Sequence, residues 1–239
     1  RCLHLMPLFH INGLMMLIAS LEAGSVVVCP PRFEAARVFA WLEETRPTWV
    51  NGTPTVHQGI LGQAALDEET AVPIAARAGL RFIRSASSAL PPRLREEMER
   101  LFAAPVIESY GQTETATLVA VAPLARGTGK PGSAGVSAGP EIAIIDPEGR
   151  PLPPGSRGEI VVRGINVMAG YEDDLATTTD SFRDGWYRTG DLGHLDADGF
   201  LFITGRLKEI INRGGEKIAP REVEEVLLAH PAVREAVTF

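Results

Sequence analysis

Cysteine, surplus positive charge and long apolar runs are all scarce in this sequence. Two cysteines among 239 residues cannot form a disulfide framework or a cysteine-rich zinc site, so we expect a reducing, cytoplasmic setting. Lysine and arginine number 23 against 30 aspartates and glutamates, which argues against a nucleic-acid-binding or basic membrane-surface protein. The apolar stretch 14–21 is far shorter than the roughly 20 residues of a membrane-spanning helix.

The remaining composition is typical of a globular protein, with 45% apolar and 22% charged residues. A length of 239 residues fits one large domain, or one domain with part of another. The sequence begins at Arg1 within an apolar pattern and ends at residues 237–239 within a strand-like pattern. We therefore expect a segment of a longer protein.

Residues 1–125 alternate between helical and strand-like patterns, which predicts an α/β fold with a partial, mostly parallel sheet and flanking helices. Thr53 followed by Pro54 is a typical helix start, because it supplies an N-cap and a first-turn proline. Further helices are predicted at 13–22, 31–45 and 91–102. Strands are predicted at 25–29, 48–50, 80–84 and 105–108.

The pattern changes in residues 126–205, where short apolar runs are separated by turn sequences. The segments 146–149 and 196–199 are typical of hairpin turns, so this region is predicted to form an antiparallel β-barrel subdomain. Residues 206–239 contain a short apolar strand, a Gly-Gly turn, a helix over 220–229 and a final strand-like run. This third region is predicted to be the start of a small α+β C-terminal domain.

The segment 108–114, ESYGQTE, directly follows a predicted buried strand. Ligands of an open α/β sheet lie outside the carboxyl ends of its strands. Here the Tyr110 ring can stack on a base, the Thr113 hydroxyl can donate to a phosphate oxygen, and the Glu114 carboxylate can bind Mg²⁺. Gly111 adds flexibility. One interpretation is a nucleotide site, and the alternative is a polar loop with a hydrogen-bonded tyrosine.

A second polar position lies far along the chain at Asp191. It is predicted in a tight, glycine-flanked turn, from which its carboxylate can accept hydrogen bonds from two ribose hydroxyls. In this order, the segments PLFHINGL, SASSALPP, YGQTE, GEIVVRG, YRTGDLG and GRLKEIINRGGEKIAPREVE resemble the adenylate-forming enzymes over the whole chain. The sequence is most similar to the acyl-CoA synthetases of the oxalate–CoA ligase-like, fatty-acyl–CoA ligase and coumarate–CoA ligase branch.

The resemblance implies a ligase that converts a carboxylic acid and ATP into acyl-AMP and then transfers the acyl group to CoA. It implies that Glu114 binds Mg²⁺, that Thr113 contacts the α-phosphate, and that Asp191 and Arg206 hold the ribose. The partners would be small molecules, namely the acid, ATP and CoA, and the oligomeric state stays open. The nucleotide would also be bound by Ser87, Ser88, Ala89, Glu108, Ser109, Tyr110, Gly111, Ile203 and Lys217.

The acyl pocket implied by the resemblance contains His10, Ser109 and Thr117. His10 would border the acyl and CoA channels. His57, on the predicted helix after Thr53, faces either the same pocket or the core, and the sequence leaves both interpretations open.

The region after residue 205 would serve the second half-reaction. By resemblance, Lys208 lies at the hinge about which the small C-terminal domain rotates, and a solvent-exposed lysine is the alternative interpretation. Gly214 and Gly215 would let the backbone approach the CoA pantetheine, or they form an ordinary hairpin turn.

The sequence departs from the family pattern in several places. The Ser/Thr/Gly-rich phosphate loop would lie before Arg1 and the catalytic C-terminal lysine after Phe239, so we expect the 239-residue chain to bind AMP at most weakly and to be inactive. Thr117 replaces a histidine expected in the oxalate branch, which leaves a small or medium apolar acid open. Asn212 replaces a lysine common in the coumarate branch.

The alternatives to a CoA ligase are an adenylation domain that loads a carrier protein and a nonenzymatic nucleotide-binding remnant.

Overall fold

The computed structural model describes residues 1–125, 127–213, 216–228, 230, 232–233 and 236–238. They form two compact units. The first comprises residues 1–117 and 122–129, and the second comprises residues 118–121 and 130–239.

The first unit is a parallel sheet with helices. Its described strands are β1 (Cys2–His4), β2 (Val27–Val28), β3 (Trp49–Gly52), β4 (Phe82–Ser85) and β5 (Val106–Tyr110). Its described helices are α1 (Ile11–Glu22), α2 (Val38–Thr45), α3 (Pro54–Leu66), α4 (Glu68–Arg77) and α5 (Pro92–Phe102). The strands pair in parallel in the order β2-β1-β3-β4-β5. The predicted mostly parallel sheet is confirmed.

The core of this unit consists of apolar side chains from both the strands and the helices. Leu3 of β1 and Ile83 of β4 are fully buried against helix residues such as Leu42, Ile60 and Met98. Strands buried on both faces are short apolar runs, and such runs predicted the strands β2 to β5, whereas β1 was not predicted. The predicted start of α3 is also confirmed, since the Thr53 hydroxyl caps it by accepting from the Val56 N–H.

Two helices of the first unit differ from the prediction. The helix predicted at 31–45 begins only at Val38, after a 3₁₀ turn at Ala35–Arg37. Helix α4 was not predicted, because Pro73 lies inside it and an interior proline removes a helical hydrogen bond. Burial of its apolar face, which includes Ile74, stabilises this helix in spite of the proline.

The second unit is dominated by antiparallel strands. Its described elements are β6 (Ala120–Val121), β7 (Val136–Ser137), β8 (Glu141–Ile145), β9 (Gly158–Arg163), α6 (Leu175–Ser181), β10 (Phe182–Arg183), β11 (Trp186–Leu195), β12 (Leu201–Arg206), β13 (Ile211–Arg213), β14 (Glu216–Ile218) and α7 (Pro220–Leu228). Strands β10-β11-β9-β8 form one curled sheet, and β12 pairs with the second half of β11. The antiparallel character predicted for the β-barrel subdomain is confirmed, and its curled sheet forms a half-barrel.

The two predicted hairpin turns of this unit are present. The Gly149 N–H donates to the Asp146 carbonyl at 2.9 Å, and the Gly199 N–H donates to the Asp196 carbonyl at 3.1 Å. Both glycines have positive φ angles, of 85° and 80°, which other residues adopt only with strain.

Three predictions for this unit are not confirmed. Asp191 lies within the continuous strand β11 and not in a turn, because Gly190 adopts a positive φ without ending the strand. The final strand predicted at the chain end is wrong for residues 236–238, which have no regular secondary structure. The predicted turn at Gly214 and Gly215 lies outside the described residues.

Across the part of the chain that the structure describes, no helix is long and apolar enough to cross a membrane.

Candidate active site

The loop after β5 carries the residues predicted to bind nucleotide. Gln112 caps a 3₁₀ turn at Thr113–Thr115, and the Gln112 N–H donates to the Thr115 hydroxyl at 2.9 Å. These local bonds fix the loop at the carboxyl end of β5. The Thr113 side chain is exposed, whereas Tyr110 and Glu114 are half-buried. Thr113 is therefore open to a ligand at the edge where ligands bind parallel sheets.

The residues on either side of Tyr110 have different environments. The Glu108 carboxylate forms an ion pair with Arg95 of α5 at 3.0 Å. The Ser109 hydroxyl is buried and has no hydrogen-bond partner among the described atoms. Thr117 is buried with a φ of 65°, and its N–H donates to the Gln112 carbonyl at 2.8 Å. Ser109 therefore keeps a free hydroxyl, while Glu108 is already paired.

The segment 87–89 is an exposed loop after β4. Ser87 has a φ of 77°, an uncommon backbone conformation for a residue other than glycine. The amide Nδ2 of Asn12 donates to the Ser87 hydroxyl at 3.1 Å and ties this loop to α1. The segment predicted to bind adenine is thus accessible, and a hydrogen bond joins its first residue to α1.

His10 is the N-cap of α1. Its Nδ1 accepts from the Asn12 N–H at 3.1 Å, so the neutral ring carries its proton on Nε2. The side chain is exposed. The capping bond explains why a histidine can start this helix, and Nε2–H remains able to donate to a ligand.

A buried polar row crosses the sheet of the first unit, and the sequence analysis did not identify it. His4, Asn51 and Arg84 are paired in register on β1, β3 and β4, so their side chains share one face. The Asn51 amide donates to His4 Nδ1 at 3.2 Å. Arg84 Nη1 donates to the side-chain carbonyl oxygens of Asn12 at 2.7 Å and Asn51 at 2.9 Å. A polar residue within a short apolar strand was the signal that could have found this row.

Arg84 is an unusual cation because it is only 6% exposed and its described partners are neutral amides. Burial lowers the pKa of Arg84 to about 10, so it stays charged at neutral pH. Its Nη2 has no hydrogen-bond partner among the described atoms, and neither has the Ser85 hydroxyl. Buried polar atoms are normally paired, and these two unpaired atoms belong to consecutive residues of β4, so they lie on opposite faces of the sheet.

His57 lies in the interior of the first unit. Its ring on α3 is fully buried, and a Cβ at Gly52 would approach Cε1 to 2.9 Å, so glycine is needed there. Burial lowers the pKa of His57 to about 4, and an interaction with the Arg84 backbone offsets only part of this effect. Of the two interpretations that the sequence left open, the structure favours a neutral core residue.

We expect His57 to make stability depend on pH. Because the folded-state pKa is lowered, the unfolded chain binds the proton more readily, and stability is lost as the pH falls below the ordinary value of 6.5 towards 4. The free energy of unfolding should fall by roughly 2 to 3 kcal/mol between pH 7 and pH 4.5 through this group. Urea denaturation of the wild type and of His57→Leu at both pH values measures the difference.

The control for this experiment is His230→Gln, since His230 is an exposed histidine. It should keep the wild-type pH dependence, whereas His57→Leu should lose a large part of it. An unchanged pH dependence in His57→Leu would contradict the assignment of a depressed pKa to this ring.

In the second unit, Asp191 and Arg206 form an ion pair across β11 and β12. They are direct register partners, and Arg206 Nε donates to the Asp191 carboxylate at 2.8 Å. The Asp191 N–H donates to the Thr189 hydroxyl at 3.0 Å. The Asp191 side chain is buried and that of Arg206 is 57% exposed. The structure therefore brings together the two residues predicted to hold the ribose, which are fifteen positions apart.

Two further residues predicted to belong to the site lie on β12 or directly after it. Ile203 is half-buried on β12, opposite Gly193 of β11. Lys208 is exposed in a 3₁₀ turn at Leu207–Glu209, immediately after β12. Gly214, Gly215 and the side chain of Lys217 lie outside what the structure describes.

The predicted magnesium site rests on Glu114 alone. No cluster of three or more potential metal-ligating His, Cys, Asp or Glu residues occurs among the residues that were placed. Mg²⁺ commonly keeps several waters and takes one or two carboxylates together with substrate phosphates. A single half-buried carboxylate next to an exposed threonine fits a Mg²⁺ that arrives with a nucleotide, and it does not fit a permanent structural metal.

Comparison with known proteins gives a consistent family assignment. A model of the family described as "AMP-binding enzyme" matches residues 1–172. The oxalate–CoA ligase of Arabidopsis thaliana is 43% identical over 98% of this chain, and the sulfoacetate–CoA ligase of Cupriavidus necator is 45% identical over 99%. In both cases the chain covers 45% of the relative, so it spans about half the length of the curated relatives that it matches.

Solved structures agree with this assignment. The O-succinylbenzoate coenzyme A synthetase of Bacillus subtilis in complex with AMP superposes with a TM-score of 0.84 at 38% identity, over 99% of this chain and 47% of that one. The ATP-bound MatB of Rhodopseudomonas palustris gives a TM-score of 0.87 at 32% identity, over 99% and 46% of the two chains. The resemblance to adenylate-forming enzymes inferred from the motif order is thereby confirmed, and the chain belongs to the AMP-binding enzyme family.

Proposed function

We propose that this chain is the central part of a longer ATP-dependent acid–CoA ligase, which forms an acyl-adenylate and then a CoA thioester. The observation that carries this proposal is the loop Gly111–Thr115 at the carboxyl end of β5, where Thr113 is exposed beside Glu114. The relatives named above are acid–CoA ligases, and solved relatives contain AMP, or ATP with a magnesium ion.

In the first unit, the residues divide between the base, the phosphates and the acid. The Tyr110 ring and the exposed segment 87–89 are proposed to bind adenine, and the Thr113 hydroxyl to donate to the α-phosphate. Glu114 would hold Mg²⁺, which supplies charge neutralisation at the phosphates when it is bound. His10, Ser109 and Thr117 are proposed to border the acid, with His10 Nε2–H able to donate to it. Positioning and charge neutralisation are what an in-line displacement at phosphorus requires.

In the second unit, the Asp191 carboxylate is proposed to accept hydrogen bonds from the two ribose hydroxyls. Its ion pair with Arg206 orients the carboxylate before the nucleotide binds, so less side-chain entropy is lost on binding. Ile203 on β12 would contact the base. Lys208 directly after β12 is proposed as the hinge residue, because an exposed turn can change its φ and ψ angles without disrupting a core.

The proposed domain layout follows the sequence boundaries, with an α/β subdomain over 1–125, a β-barrel subdomain over 126–205 and the start of the mobile C-terminal domain over 206–239. Gly214 and Gly215 are proposed to admit the CoA pantetheine, and Lys217 to contact the adenylate. Because the chain spans about half of its relatives, we propose that the 239 residues alone bind AMP weakly and do not catalyse adenylation.

The experiment that tests this function uses the full-length protein that contains this chain. ATP, Mg²⁺, CoA and a panel of carboxylic acids are supplied, and the acyl-CoA and AMP produced are quantified. We expect both products in equal amounts with at least one acid. The isolated 239-residue chain is assayed in parallel for pyrophosphate release, and turnover by it would contradict the proposed inactivity.

Two alternatives are separated by the same assay. A phosphopantetheinyl carrier protein replaces free CoA in one series, and thioester formation only on the carrier would identify an adenylation domain. AMP binding without any adenylate from the full-length protein would instead identify a nonenzymatic remnant. Either result would reject the CoA ligase proposal.

A further inference from the structure

The pairing of β9 with β11 is interrupted beside Asp191. It is regular up to Arg188 and resumes at Leu192. Between these two positions β11 supplies residues 189–191, whereas β9 supplies only Ile160. Such a β-bulge bends the strand and changes the direction in which a side chain points. Because Asp191 belongs to the bulge, the direction of its carboxylate depends on the groups that hold the bulge in place.

The Glu159 carboxylate of β9 holds the first part of the bulge. Its Oε2 accepts from Arg188 Nε at 3.0 Å and Nη2 at 2.6 Å, and its Oε1 accepts from the Gly190 N–H at 3.2 Å. The Glu159 side chain is only 7% exposed. Gly190 has a φ of 70°, a backbone conformation that favours glycine. A buried carboxylate therefore fixes the residue directly before Asp191.

The Thr189 side chain holds the second part of the bulge. Its hydroxyl donates to the Ile160 carbonyl at 2.7 Å and accepts from the Asp191 N–H at 3.0 Å. These bonds replace the strand pairing that the bulge interrupts, because buried backbone groups need partners. From β12, Arg206 Nε donates to the Asp191 carboxylate at 2.8 Å. The backbone of Asp191 is thus held through the bulge, and its carboxylate is oriented from β12.

Stability alone does not account for this arrangement. On the adjoining strand pair, Glu141 of β8 and Arg163 of β9 are direct register partners and form an exposed ion pair without a bulge. Glu159 instead buries its carboxylate, at a free-energy cost that its hydrogen bonds have to offset. A regular antiparallel ladder would pair the same backbone groups without that cost. A bulge with a buried carboxylate, next to the proposed ribose ligand, therefore fits a role in the site.

We propose that Glu159 is a positioning residue, which acts through the bulge at 189–191 to set the Asp191 carboxylate at the angle that accepts from both ribose hydroxyls. This inference rests on the proposed function, because it concerns the carboxylate proposed to hold the ribose. It assigns to Glu159 part of the selectivity for ribonucleotides over nucleotides that lack these hydroxyls, although Glu159 itself does not touch the nucleotide.

The test measures how strongly the full-length protein distinguishes AMP from dideoxy-AMP, which lacks both ribose hydroxyls. Isothermal titration calorimetry gives the ratio of the two dissociation constants for the wild type, Asp191→Asn, Glu159→Gln, Thr189→Val and Thr189→Ser. The matched control is Glu141→Gln, which removes the charge of the exposed ion pair on the adjoining strands. Thr189→Val deletes one hydroxyl and keeps the side-chain shape, so it serves if Glu159→Gln fails to fold.

We expect the wild type and Glu141→Gln to bind AMP about 100-fold more tightly than dideoxy-AMP, because hydrogen bonds to a charged group are lost with the hydroxyls. Thr189→Ser should retain most of this ratio, since it keeps the hydroxyl. Glu159→Gln and Thr189→Val should lower the ratio to below about tenfold. Their affinity for dideoxy-AMP should stay within about threefold of the wild type, because it does not depend on the direction of the Asp191 carboxylate.

An equal loss of affinity for both ligands in Glu159→Gln and Thr189→Val would show that these side chains only stabilise the sheet. That result would overturn the inference, and so would wild-type affinity for both ligands. In either case a ratio that Asp191→Asn abolishes would leave the proposed ribose site intact. If the wild type does not distinguish the two ligands, the proposed ribose site itself fails and the inference fails with it. The acid panel tests the ligase function separately.

Discussion

Glu114→Gln in the full-length protein should lower kcat for thioester formation by about 100- to 1,000-fold. Glutamine is close in size to glutamate but brings no negative charge, so a Mg²⁺ bound at the proposed site would be held less well. The surrounding 3₁₀ turn is capped by Gln112 and Thr115, so the loop should keep its conformation. Steady-state kinetics at increasing Mg²⁺ concentration measures the effect, and a raised Mg²⁺ requirement should accompany the lower rate.

The control is Glu96→Gln on α5, because Glu96 is an exposed glutamate of the same unit. It should retain wild-type kinetics and the wild-type Mg²⁺ requirement. If Glu114→Gln lowers the rate less than tenfold at every Mg²⁺ concentration, Glu114 does not hold the metal.

Asp191→Asn should weaken AMP binding by the full-length protein by about 100-fold. The single oxygen of an asparagine side chain accepts fewer hydrogen bonds than the two oxygens of a carboxylate. Hydrogen bonds to charged groups contribute about 1.5 to 3 kcal/mol each. Arg206 is 57% exposed, so water can solvate it once its partner is neutral, and the fold should tolerate the change. Isothermal titration calorimetry with AMP gives the dissociation constant.

Asp198→Asn is the matched control, since Asp198 is an exposed aspartate of the same unit that pairs with Lys130. Its AMP affinity should equal that of the wild type. A dissociation constant for Asp191→Asn within threefold of the wild type would show that the Asp191–Arg206 ion pair stabilises the β-sheet and does not bind the nucleotide.

Most strands and the longest helices could be predicted from local patterns of apolar residues, even α1, whose buried residues are Asn12, Gly13 and Ser20. Helix α4 could not, since Pro73 breaks the helical pattern and only packing against the core stabilises it. Asp191 was placed in a turn because two glycines flank it, yet pairing with β12 keeps the segment extended. Local propensity fails in both cases where tertiary contacts supply the larger free energy.

The candidate site shows the same division. Thr113, Glu114 and Tyr110 were found because they are adjacent in sequence and follow a recognisable strand. Arg84 was missed because its partners Asn12 and Asn51 lie 72 and 33 residues away. Local sequence patterns carry no information on partners at such separations, because only strand pairing and the packing of α1 on the sheet bring them together.

The amino-acid order by itself determined the α/β and antiparallel character of the two regions, the family and the loop proposed to bind nucleotide. These properties depend on side-chain periodicity and on short motifs, which are readable one segment at a time. Tertiary structure alone decided that His57 is buried and neutral, that Asp191 faces Arg206, and that the described hydrogen-bond partners of the buried Arg84 are neutral amides. Burial and charge balance depend on the neighbours that folding assembles, so they cannot be read from one stretch of chain.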